Sequence, residues 1–166
     1  ISSSNIKDAN LSKQIFEEAI NQICSSFPFI ITLRTGGIVV QNLIIRLITN
    51  DTLKNCLRYF LELLNLSEVA GCSVKKYANK VVEVLLFIPE FCKSFLNYCL
   101  LNEKEKNSED AMKNSPLYNM CSRFRGINVI QLLFEKTDLK SRKLLYKDVK
   151  LIYKSYKSEM NEKFKE

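Results

Sequence analysis

Three similar strings constrain this chain more than anything else in it. T-G-G-I-V-V-Q-N-L-I starts at Thr35, Y-A-N-K-V-V-E-V-L-L at Tyr77 and R-G-I-N-V-I-Q-L-L-F at Arg125. After its first residue each has a small residue (Gly36, Ala78 or Gly126), two variable positions and two β-branched residues. A Gln or Glu follows, then a mainly apolar tail. Each string comes after a short helix-like stretch and before a longer amphipathic one. A unit of this kind cannot bury its apolar helix alone, whereas stacked neighbours can. The sequence therefore predicts one domain over residues 1–166, with units near 11–66, 67–101 and 116–166. A polar insertion, 102–116, lies between the second and third and reads as an exposed, mobile segment.

The strings could be strands or helices, and composition decides. With four Gly and three Pro in the whole chain, the turn every eight to twelve residues or so that a sandwich or barrel needs is missing. Hydrophobic residues make up 46% of the chain, enough for a core. The fold class predicted is all-α. Ile15, Ala19, Ile23 and Phe27, four apart, make an amphipathic helix over Leu11–Phe27, capped by Asn10 or Ser12 and ended by Pro28. A short link follows. Asp51 or Thr52 caps the next helix, Ser67–Ser73 reads as a turn containing Gly71, and Asp138 caps a long terminal helix carrying nine basic residues. That helix reads as a solvated or capping helix rather than a dedicated nucleic-acid arm. Ser2–Ser4 reads as a disordered terminus.

Chemistry is constrained by what is missing. There is no histidine, and none of the six cysteines lies in a C-x-x-C pair, so zinc-finger spacing and a His-assisted nucleophile are absent. Glu17 and Glu18 are adjacent and point about 100° apart on a helix, which does not make a catalytic pair. The expectation is no enzyme, no metal, no cofactor and no small-molecule substrate. The cysteines sit beside Leu, Phe and Tyr, as small buried hydrophobes do, which points to an intracellular protein. Apolar runs such as VVEVLLFI fall short of the roughly 20 residues of a membrane span. The net charge of +7, from 25 basic and 18 acidic residues, favours a polyanionic partner.

The strings resemble the middle helices of the Pumilio (PUF) family of RNA-binding repeats. GGIVVQ and GINVIQ are similar to its G-N-Y-V-V-Q form, and ANKVVE to A-S-N-V-V-E. The likeness covers roughly Leu11 to Tyr153. It implies an α-solenoid of stacked three-helix repeats, part of a longer array, that binds single-stranded RNA. In that family the first variable position and the Gln/Glu address a base edge, and the second variable position stacks between bases. Four residues apart on a helix, the two edge positions share a face. The resemblance thus implies edge-reading pairs Gly37 with Gln41, Asn79 with Glu83 and Ile127 with Gln131, and stacking positions Ile38, Lys80 and Asn128. Arg34, Lys75, Lys76, Arg123 and Arg125, each just before a middle helix, would meet phosphates.

The strings also depart from the family. No stacking position is aromatic or Arg, and Gly37 and Ile127 lack side-chain hydrogen-bonding groups. The spacings of 42 and 48 residues between first variable positions exceed a family repeat of roughly 36. These departures are similar to the divergent nucleolar PUF-like branch, with weak sequence preference. The function expected is RNA binding in post-transcriptional regulation or ribosome biogenesis, in the nucleolus, nucleus or cytoplasm. The alternative is a HEAT- or armadillo-like scaffold holding a protein partner. A compact bundle without a true repeat is the third reading.

Overall fold

The computed structural model describes residues 3–163 of the chain. Helix dominates it, 84% overall, and there is no strand among the described residues. The chain is therefore all-α. Ser2 lies outside the described residues, as does Lys165 of the nine terminal basic residues.

Helix α1 runs Ser3–Ser25, so neither Asn10 nor Ser12 caps it. Pro28 does not merely end that helix. It sits in the first turn of α2, Phe27–Thr32, where a proline's missing N–H costs nothing. The expected link is thus a helix. After Leu33 alone, α3 spans Arg34–Thr49, so the β-branched run GGIVVQNLII is helical. Asn50 caps the turn that follows by accepting from the Thr52 amide at 3.0 Å, and α4 covers Lys54–Leu63.

The Ser67–Ser73 stretch, expected as a turn, is mostly helix α5, Leu66–Cys72, capped by the Asn65 side chain. Helix α6 spans Ala78–Leu85 and α7 Pro89–Cys99, with its proline again in the first turn. The polar segment folds into two short helices, α8 (Glu103–Asn107) and α9 (Glu109–Lys113). Asn102 and Glu105 form a reciprocal capping box on α8, which satisfies amide donors that the helix start leaves unpaired. Most of the segment is exposed, but Met112 and Ser115 are buried. Helix α10 is Pro116–Cys121, α11 Phe124–Lys136 and α12 Leu139–Lys163. Asp138 does cap α12, accepting from the Ser141 amide and hydroxyl at 3.0 and 2.9 Å. Those hydrogen bonds hold its carboxyl below the ordinary aspartate range.

Among the described residues, nine of the twelve α-helices fall into three triplets, α2–α3–α4, α5–α6–α7 and α10–α11–α12. Their first helices touch in chain order, α2 to α5 to α10, and so do their second helices, α3 to α6 to α11. Helix α1 packs along α4, where the Tyr59 hydroxyl donates to Asn21 at 2.7 Å. One continuous core of Ile20, Phe60, Val81, Phe95, Leu117 and Leu133 runs through the triplets.

The small residue of each string belongs to this packing. A Cβ on Gly36 would sit 2.2 Å from the Ile30 carbonyl oxygen, and one on Gly126 would sit 2.4 Å from that of Met120. The first helix of a triplet crosses the second that closely. At the middle corner the approach is made differently. Tyr77 takes φ 67° and ψ −45°, and the Ala78 amide donates to the Lys76 carbonyl at 2.9 Å. That is a γ-turn of the strained kind, rare for a residue with a side chain. A second tie fixes the last triplet. The buried Asp148 carboxylate of α12 accepts from the Leu101 amide at 3.0 Å, with Lys106 Nζ 3.6 Å from its other oxygen.

Candidate nucleic-acid interface

The three strings lie on α3, α6 and α11, side by side. The cations expected at phosphates are all exposed: Arg34, Lys75, Lys76, Arg123 and Arg125. Arg34 and Arg125 lie in the first turns of α3 and α11, and Lys75 and Lys76 in the corner before α6. Arg123 donates to Asn119 at 3.1 Å, and Lys76 lies over the Tyr77 ring at 5.0 Å. None of the five forms an ion pair among the described residues, so their charge faces solvent uncompensated.

The other candidates are placed unevenly. Of the stacking positions, Ile38 and Lys80 are exposed and Asn128 half-buried; of the edge positions, Gln41 and Glu83 are half-buried and Gln131 exposed. Gly37 is buried, and a Cβ there would meet first the Ile31 carbonyl oxygen of α2, at 3.3 Å, and then Val81 and Tyr77 at 3.8 and 3.9 Å. Asn79 is buried too, and its amide donates to Glu83 at 3.1 Å. Lys80 Nζ holds the same carboxylate at 2.7 Å. The one fully polar edge pair is thus joined to itself. Ile127 is exposed, in the wall of an apolar cleft of about 320 Å³ that also includes Tyr118, Cys121, Tyr153 and Tyr156. Two of the three first variable positions therefore lie inside helix packing, not on the open face.

One basic feature was not singled out from sequence. A groove of about 540 Å³ between α11 and α12 is lined by Phe134, Arg142, Lys143, Tyr146, Lys147 and Lys150, with no acidic residue among them. Arg142 is occupied, donating to the carbonyls of Thr137 at 2.8 Å and Glu135 at 3.0 Å, where it caps the end of α11. Lys143, Lys147 and Lys150 remain. Their spacing of four and three residues around Tyr146 is the signal that could have located the groove.

Five of the six cysteines are held in the thiol form by burial. Burial pushes Cys24 and Cys121 up to about 11, and raises Cys72, Cys92 and Cys99 as well. Among the described residues no group of three or more Cys, Asp or Glu is arranged to hold a metal ion. No single described helix is long and apolar enough to cross a membrane. The stretches Ala78–Leu85 and Pro89–Asn107 together reach the required length and composition, but only across a 116° bend. Comparison of the chain with protein-family models, curated proteins and solved structures finds no match.

Proposed function

We propose that this chain is an RNA-binding helical-repeat scaffold of PUF-like type, an α-solenoid of three-helix units, acting by binding rather than catalysis. The observation that carries this reading is the row of second helices α3, α6 and α11, each approached by exposed cations without acidic partners. Such a row offers a single strand regularly spaced phosphate contacts. Base readout is limited, because Gly37 and Asn79 are buried and Glu83 is held by Asn79 and Lys80. Weak sequence preference follows, of the kind useful in ribosome biogenesis or broad post-transcriptional control inside the cell.

Titration of labelled single-stranded RNA against salt tests this. Five engaged cations would lower affinity roughly a hundredfold between about 50 and 200 mM salt. No binding at low salt overturns the proposal.

A second reading, a scaffold for a protein partner, is favoured by one specific feature. Helix α3 and its approach expose Phe29, Leu33, Ile38, Val39 and Ile45, an apolar run that phosphates do not need.

A further inference from the structure

Helix α12 is uneven around its circumference. Between Leu139 and Lys157 it carries seven cations and a single acid, Asp148. That acid is buried and engaged with Leu101 and Lys106, so it does not offset the outer face. Lys143, Lys147, Lys150 and Lys154 follow one another by four, three and four residues, which makes one stripe along the helix. All four are exposed, and none forms an ion pair among the described residues.

Aromatic rings flank the stripe. Tyr146 and Tyr153 are 56% and 64% exposed and lie two turns, about 10 Å, apart on one side of it. Lys150, between them, brings its ammonium within 5.9 Å of the Tyr146 ring centroid. Across from them α11 runs the opposite way, since Ile127 lines the apolar cleft with Tyr153 and Phe134 lines the basic groove with Tyr146. Ile127, Gln131 and Phe134 are four and three residues apart and so share one face of α11, with Gln131 exposed between the other two. The cleft and the groove are thus consecutive stretches of one furrow between α11 and α12.

Rings alternating with uncompensated cations match a single strand, whose bases stack on the rings while its phosphates meet the cations. An acidic protein segment needs the cations but not the rings, and a duplex keeps its base faces covered.

We infer that this furrow is a base-stacking track for single-stranded RNA, in which Tyr146 and Tyr153 stack bases and the four lysines hold the phosphates between them. The inference rests on the RNA-binding reading and deepens it. The stacking chemistry that Ile38, Lys80 and Asn128 lack is supplied by α12.

Binding of labelled decauridylate at low salt to the Tyr146→Leu/Tyr153→Leu variant is the test. Affinity should fall at least about fivefold per ring, from stacking worth about 1 kcal/mol or more per base. The salt slope should not change, because no cation is removed. An RNA duplex of equal length should bind the variant and the unmodified chain alike. Tyr146→Phe/Tyr153→Phe keeps the rings and should keep the affinity. The chain has no Trp, so tyrosine emission gives a second readout that does not depend on the Leu variant folding. Decauridylate should quench that emission in the unmodified chain, and most of the quenching should vanish in the Phe variant. Unchanged decauridylate affinity in the Leu variant overturns the inference alone, as does an equal loss on the duplex or full quenching in the Phe variant. An unmodified chain that binds no RNA overturns the reading beneath it, so the two failures are distinguishable.

Discussion

The buried amide of Asn79 donates to the carboxylate of Glu83 at 3.1 Å, one helical turn along α6. Both partners of the most polar edge pair are therefore engaged with each other. If base edges are not read here, Glu83→Gln, which removes a negative charge and keeps an acceptor, should raise RNA affinity slightly. A tenfold fall in a binding titration would show that the carboxylate reads a base. Glu83→Ala leaves the Asn79 amide buried without its acceptor and should cost about 1–3 kcal/mol in chemical denaturation.

Phosphate attraction predicts a different ranking at the corners. Lys76→Glu with Arg125→Glu should weaken RNA binding more than Gln41→Ala does. Each engaged cation lost should also lower the salt slope by roughly 0.7. Equal effects of the two changes would point to base readout through Gln41. Neutralising Lys143, Lys147 and Lys150 together reports whether the α11–α12 groove shares the load, as a further drop of about two in that slope.

Two glycines should respond in opposite directions. Gly126→Ala puts a methyl group against the Met120 backbone, where a Cβ would lie 2.4 Å from the carbonyl oxygen. A loss of about 1–3 kcal/mol is expected as α10 and α11 are forced apart. Gly71 lies in α5 with nothing within 4 Å of its would-be Cβ. Gly71→Ala should stabilise by about 0.4–1 kcal/mol, because it restricts the unfolded chain. Denaturant midpoints at constant slope separate the two.

The thiols supply a pH dependence. Cys24 and Cys121 ionise near 11 in the fold, against 9.0 for the ordinary thiol. The folded state holds these protons more tightly, so the stabilisation is complete below about pH 9 and is lost as pH rises from 9 toward 11. At pH 8 their thiolate population should be roughly a hundredfold below that of the denatured chain. Labelling with a disulfide reagent should be slower by at least that factor. Fast labelling of either thiol in the folded protein would contradict it.

Much of this architecture was legible because each string repeats a helical pattern over ten residues. The second helices α3, α6 and α11 follow from that pattern, and the Asp138 cap from an acidic residue standing just before the last helix. Helices α2 and α5 were not, since six or seven residues give hardly two turns and no readable stripe. Isolated helices that short are unstable in water and persist here because they pack. Gly37 and Asn79 were assigned to a base-reading row by resemblance. A single sequence does not show that both positions are buried in helix packing, Gly37 between the Ile31 carbonyl and Val81. Likewise Gly36 and Gly126 were visible as small residues, but the carbonyls of Ile30 and Met120 that require them come from another helix.

The hydrogen bond from the Leu101 amide to Asp148 spans 47 residues of chain. It crosses from the end of the second triplet to the last helix, over the α8–α9 excursion. A row of stacked elements would ordinarily peel from its free end one element at a time. Here a pull on the C-terminal helix first meets a buried clasp anchored at the end of α7. The last two triplets should therefore yield together, as one large step in an extension trace rather than two small ones.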